Sequence, residues 1–310
     1  MSFPTTSPLA ADAEIADRTS IPGALFALTK PRIAFMSVVT AMVAYGTARP
    51  VANVTIATFI GTALSAGGVL ALNQWWERKQ DARMRRTQSR PLPQLRLTPA
   101  VALVWSLVLC FAGVLLLALK VNLNAAGLAA LTIVTYGLAY TPLKQRTPWA
   151  TEVGAVSGAL PALLGNAAAG HLWAAPGVAL AVMLLFWQMP HFFAIGWRHR
   201  EDYRAAGFKL RPAIDSCGGN TAWWSFVYAV PLLPVSIVPW WLGSLGVIYG
   251  VITLVAGIAF LFRAWGFVVA SDRDLAARRL FKASLFYLLI FMVALLLDQI
   301  PVWPGPGSVP

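Results

Sequence analysis

Asn73, Glu77 and Asp81 stand four residues apart. On a helix such residues are neighbours on one face, so the spacing lines up an amide and two carboxylates. Adjacent carboxylates repel, and more strongly where water is scarce. There are two ways to relieve this. A divalent ion could bind the hard oxygens; Mg²⁺ typically takes one or two carboxylates together with waters and substrate phosphates. Alternatively, Glu77 and Asp81 could pair with Arg78, Lys79, Arg83 or Arg85 as a solvated helix end. Spacing alone leaves both open. The continuation Arg86-Thr87-Gln88-Ser89-Arg90-Pro91 favours the first reading. Pro91 stiffens the exit from the helix, and Arg86 and Arg90 offer planar donors suited to phosphate oxygens.

A second polar group begins at Trp187-Gln188-Met189-Pro190-His191 and continues through Arg198 to Glu201-Asp202-Tyr203. Pro190 predicts a kink that frees a backbone carbonyl. His191 lies in an apolar stretch, where an ionisable side chain is either functional or bonded to such a carbonyl. On a continuous helix His191, Arg198 and Asp202 fall within a narrow arc, which predicts one wall of a site. A third element, Tyr140 to Thr147, carries Lys144 and Arg146. These two read as ordinary interfacial charge or as cations that neutralise a diphosphate over the first group.

The elements that must position these residues are long and apolar. Of 310 residues, 58% are hydrophobic and 12% charged, about half the charge usual in a soluble domain. Nine blocks, each near the roughly 20 residues needed to cross a bilayer, cover 32–48, 54–76, 98–119, 121–140, 149–170, 173–197, 221–241, 244–270 and 280–300. Backbone groups in lipid must bond internally, so the expected fold is an all-α, multi-pass bundle of about nine transmembrane helices. Gly67, Gly68, Gly154, Gly158, Pro161 and Pro190 inside the blocks suit close helix packing. Residues 1–20 read as a disordered or peripheral segment, 21–300 as one domain and 301–310 as a short tail.

The net charge of +12 raises nucleic acid as a partner, but its distribution argues against that. Nine alternating spans put all the lysines and arginines except Arg49 and Lys120 on the side of the N-terminus. This is the positive-inside pattern. It predicts a cytoplasmic N-terminus, both polar groups at the cytoplasmic rim, and the C-terminus opposite. Asp12, Glu14 and Asp17, with no apolar core beside them, do not read as a signal or transit peptide, so a cell inner membrane is expected. Cys110 and Cys217 are not spaced for a disulfide or a metal site. Trp75, Trp76, Trp223, Trp224, Trp240, Trp241 and Trp303 near block ends read as interfacial anchors.

Taken together, these segments resemble the UbiA superfamily of intramembrane prenyltransferases, and within it the heme O synthase branch. Asn73, Glu77 and Asp81 stand in the superfamily's first acidic run. Met84-x-Arg86-Thr87-x-x-Arg90-Pro91-Leu92, Tyr140-Thr141-x-x-Lys144-x-Arg146-Thr147 and Gly158-Ala159-x-Pro161 are similar to that branch's following segments. Trp187-Gln188-x-Pro190-His191-Phe192 and Asp202-Tyr203-x-x-Ala206-Gly207 replace the aspartate-rich second run of quinone-type relatives.

The resemblance implies transfer of farnesyl from farnesyl diphosphate to the 2-vinyl group of heme b, with water added. It implies Mg²⁺ on Asn73, Glu77 and Asp81, and a second Mg²⁺ at Asp202. Diphosphate charge would fall to Lys144, Arg146, Arg86, Arg90 and Arg198, and heme to His191. A downstream heme A synthase is the implied consumer of the product. An aromatic prenyltransferase acting on 4-hydroxybenzoate would call for the missing aspartate-rich run. A heme carrier or transporter would place polar residues at the bilayer midplane.

Overall fold

The computed structural model describes residues 20–298. The expectations for residues 1–19, for the 301–310 tail with Trp303, and for the side on which the C-terminus lies fall outside those residues. Among the described residues the chain is helical and contains no strand. Seven helices are long and apolar enough to cross a bilayer: Thr55–Trp76, Pro99–Lys120, Leu123–Leu143, Ala175–Arg198, Gly219–Trp241, Val247–Val268 and Arg273–Leu297. Ile21–Leu28 and Pro31–Thr47, bent by 48°, form an eighth crossing. Ala150–Ala168, less apolar than these, brings the long helices to nine among the described residues, and the crossings are numbered with it as the fifth. It is less apolar because most of its residues are buried by other helices, and Glu152, Ser157 and Asn166 find protein surroundings there.

Sequence sets several boundaries directly. Thr98 caps the helix that begins at Pro99 by accepting from Val101 N, and Asn122 and Asp272 cap theirs at Ala125 N and Leu275 N. Each cap satisfies a backbone donor that the first helical turn leaves free. Lys30 marks the bend in the first crossing, with left-handed φ of 47°, a conformation uncommon for residues with a side chain.

Helix packing depends on small residues where backbones meet, as expected without a water-driven force between helices in lipid. Thr55–Trp76 lies so close to Pro99–Lys120 that a Cβ on Gly68 would sit 2.6 Å from Cys110 N, and one on Gly113 would sit 2.5 Å from Ser65 N. The largest core cluster joins the last four long helices through Leu180, Met183, Ala229, Leu232, Tyr249, Phe267, Tyr287 and Phe291, all nearly inaccessible. Trp187 Nε1 donates to Ser284 O at 2.7 Å and ties the sixth crossing to the ninth.

At one rim the connecting segments form a cap. Met84, from the segment after the second crossing, is buried with Ala206, Phe208, Leu210 and Ala213, from the segment after the sixth. Lys209 N donates to Lys144 O at 2.8 Å. The cap therefore rests on the third element as well.

Candidate functional site

The first polar group lies under this cap. Asn73, Glu77 and Asp81 are 1%, 3% and 0% exposed. The long helix ends at Trp76 and a single turn, Arg78–Asp81, follows. The four-residue spacing nevertheless holds: Glu77 N donates to Asn73 O at 3.0 Å and Asp81 N to Glu77 O at 2.8 Å. An amide and two carboxylates are thus carried into a site with little water.

The partners of Asn73 and Glu77 come from distant segments, and those of Asp81 from the loop that follows it. Lys30 Nζ donates to Asn73 Oδ1 at 2.7 Å, and Asn73 Nδ2 donates to Thr141 Oγ1 at 3.1 Å. Lys144 Nζ lies 2.8 Å from Glu77 Oε1 and 4.4 Å from the Tyr140 ring centroid. Burial pushes the Lys144 ammonium down, but the Glu77 carboxylate and the nearby Tyr140 and Tyr136 outweigh it, so its pKa rises above the ordinary value. One Arg90 nitrogen spans both Asp81 oxygens at 2.8 and 2.7 Å. Thr87 Oγ1 donates to Asp81 O at 2.9 Å. None of the adjacent cations expected to pair with these acids does so; Arg78 instead donates to Trp75 O.

Thr141 reaches Asn73 because of an irregular turn. Val134–Tyr140 is a π-helix, a form that appears frequently at functional sites. Thr141 Oγ1 donates to Tyr136 O at 2.8 Å, which leaves its oxygen to accept from Asn73. Gly154 admits the Tyr140 ring, because a Cβ there would lie 2.7 Å from Tyr140 Cδ2.

The second group does not form the single stripe that spacing predicts. The sixth crossing stops at Arg198, and His199 breaks it with φ −113° and ψ 22°. Asp202 belongs to the next short helix, Arg200–Ala205. It turns toward the first group's loop, accepting from Arg85 N at 3.3 Å. Beside it Arg86 donates to Tyr203 Oη at 3.3 Å. Arg198 is exposed and lies over the Phe281 ring. Arg146 is exposed at the same rim.

His191 faces the last helix, stacked on Trp187 with centroids 4.7 Å apart. Its partner is Ser284 Oγ at 2.8 Å. The expected freed carbonyl is not that partner, and Ala175–Arg198 remains one helix through Pro190. Ser284 donates its proton to Phe281 O at 2.6 Å. A hydroxyl has one proton, so the hydrogen-bond network assigns the other proton to His191 Nδ1 and leaves Nε2 with a lone pair.

The sequence carries little sign of the role of Lys30. The available signal was a cation followed by Pro31 at the start of an apolar block, and it gave no hint of a partner 43 residues away. Tyr136 and Ser284 left no signal of their own.

The fold defines a polytopic, all-α membrane protein with buried charge gathered at one rim. The chain belongs to the UbiA prenyltransferase family, whose model matches residues 34–293. It is 42% identical over 275 residues to the protoheme IX farnesyltransferase of Opitutus terrae, covering 88% of this chain and 93% of that protein. Solved structures share the fold at low identity. Digeranylgeranylglyceryl phosphate synthase aligns with a TM-score of 0.76 at 16% identity, over 89% of this chain and 97% of its own. A UbiA homolog from Archaeoglobus fulgidus bound to GPP and Mg²⁺ aligns with a TM-score of 0.65 at 13% identity, over 88% of this chain and 99% of its own.

Proposed function

We infer that this protein transfers the farnesyl group of farnesyl diphosphate to the 2-vinyl group of heme b, with addition of water, to give heme O and diphosphate. The observation that carries the reading is the buried group of Asn73, Glu77 and Asp81 with Lys30, Lys144 and Arg90. Three cations against two carboxylates suit an anion. An apolar bundle below them suits the hydrocarbon tail and porphyrin.

The donor set fits Mg²⁺. Its oxygens are hard and buried: one amide and two carboxylates on successive turns. That matches an ion held by one or two carboxylates and completed by substrate phosphate and water. Asn73, Glu77 and Asp81 would hold it, and Asp202, within reach of no cationic side chain at ion-pair distance among the described residues, would supply a second position. When bound, the ion polarises the departing diphosphate as a Lewis acid.

Lys144, Arg90 and Arg86 would act as preorganised donors that stabilise charge on the leaving group, with Arg146 and Arg198 as outer cations. The allylic C–O bond breaks, and the apolar walls shield the farnesyl cation from early capture by water. The vinyl π electrons form the new C–C bond. Water then attacks the resulting heme-side cation and loses a proton. His191 orients the heme, with Nε2 as the nitrogen directed to iron. The active site and N-terminus lie on the cytoplasmic side of the cell inner membrane, as the basic loops indicate. A heme A synthase is the expected partner that consumes the product.

The test is heme O formation by the purified protein, supplied with farnesyl diphosphate, heme b and Mg²⁺, and read by mass spectrometry of the extracted heme. Glu77→Ala and Asp81→Ala should each abolish the farnesyl-plus-water mass gain while the protein still purifies as a folded monodisperse species. Wild-type turnover in both variants would remove the metal-diphosphate reading. Unchanged heme with prenylated 4-hydroxybenzoate would reassign the acceptor.

A further inference from the structure

We propose that a groove between the last two long helices binds an anionic phospholipid from the leaflet facing the capped rim. Two adjoining concavities, about 300 and 410 Å³, share Arg263 and Arg279. The smaller also includes Ser271 and Asp272 at the helix connection. The larger adds Lys282 and continues along Phe260, Phe286 and Ile290. The groove is thus polar at one end and apolar along its length, as a lipid headgroup and acyl chain require.

The depth of the charges separates them from ordinary loop cations. Arg263 lies five residues before the end of Val247–Val268, and Arg279 and Lys282 lie six and nine residues into Arg273–Leu297. At the helical rise these are about 8 to 13 Å from the helix ends. Charges at such depth are costly unless paired or able to reach the interface.

Several cations at the rim have carboxylate partners: Arg200 with Asp274, Arg204 with Glu201, and Arg211 with Glu152. Arg263, Arg279 and Lys282 are exposed and have no ion-pair or hydrogen-bond partner among the described residues. Among the described residues that line the groove, Asp272 is the one carboxylate, and it already accepts from Leu275 N. Arg273 turns away to donate to Phe267 O and Val268 O. Phe262 and Phe286, 71% and 65% exposed, flank the groove with lipid-facing surface. Basic pockets between membrane helices recognise anionic headgroups by this charge complementarity. The pairing of Asp274 with Arg200 and Trp197 places the groove on the same rim as the capped site.

The experiment is native mass spectrometry of the full-length protein in mixed micelles, with phosphatidylglycerol or phosphatidylcholine of identical acyl chains. One phosphatidylglycerol should stay bound at least tenfold more than phosphatidylcholine. R263Q/R279Q/K282Q should lose that excess. K120Q, which neutralises an exposed cation at the opposite helix end, should keep it, and excess inorganic phosphate should not displace the lipid. Ala283→Phe, which narrows the apolar part and leaves the cations intact, should weaken retention several-fold. It also serves as the test if the triple variant does not fold. Equal retention of both lipids overturns the proposal, as does undiminished retention in both groove variants. An equal loss in K120Q or displacement by inorganic phosphate would also overturn it.

Discussion

The rims of the second and sixth crossings look alike in sequence, each a helix end with a polar group and a basic loop, but they differ in space. At Asn73, Glu77 and Asp81 the helical hydrogen-bond spacing survives the helix end, and each side chain is buried with a partner: Asn73 and Glu77 with Lys30, Thr141 and Lys144 from other segments, Asp81 with Arg90 from the loop that follows it. At His191, Arg198 and Asp202 the helix breaks at His199 and the three groups separate. His191 joins the last helix, Arg198 reaches Phe281, and Asp202 meets the loop after the second crossing. A shared motif layout therefore does not imply a shared electrostatic environment. The first rim stores charge in a poor dielectric, where each pairing matters; the second distributes its groups over a surface that links helices and loops.

The largest effect should come from removing charge at the first rim without changing shape. Glu77→Gln and Asp81→Asn are expected to lower farnesyl transfer about 10²–10³-fold, the size of losing a preorganised transition-state group. They should also destabilise the fold, since each leaves a largely buried cation without its carboxylate. Thermal unfolding in detergent reads the second effect. If both variants keep activity and stability, the contrast between the rims is wrong.

Ser284→Ala comes next. It removes the acceptor that sets the His191 tautomer and is expected to weaken heme binding about tenfold, the lower end of losses from removing such a supporting hydrogen bond. The Soret band of a heme titration would report it. An unchanged titration would make the Ser284 contact purely structural.

Asp202→Asn should act more mildly. The amide oxygen still accepts from Arg85 N, so folding should persist while the Mg²⁺ concentration needed for half-maximal rate rises several-fold. Arg146→Gln should have the smallest effect on turnover. Its side chain is exposed, and a screened surface charge alters association more than chemistry. A rise of about two- to threefold in KM for farnesyl diphosphate, vanishing at high salt, is the expected result.

Burial pushes the Asp215 carboxyl up, but donors from Thr221 and Gly218 outweigh it and lower its pKa. A lowered folded-state pKa contributes stability above the ordinary carboxylate value, and that stability is lost as pH falls through the lowered value. Asp215→Ala should therefore narrow the stability gap between neutral and acid pH, measured as unfolding temperature against pH.

Much of this was legible in the chain. Apolar block length specified helices because lipid offers no partner for backbone groups, and the four-residue spacing put Asn73, Glu77 and Asp81 on one face because that periodicity is local. Lys144 and Arg90 were named from sequence as phosphate cations, but their pairing with Glu77 and Asp81 was not legible. Neither was the role of Lys30, since those contacts join segments up to 67 residues apart. The predicted stripe through Asp202 failed because one residue's φ and ψ at His199 end the helix, and spacing assumes continuity. Ser284's hold on His191 depends on how the sixth and ninth crossings pack, 93 residues apart. Local hydrogen bonding and hydropathy are properties of the chain itself. Which charge neutralises which is decided only when distant helices share a volume without water.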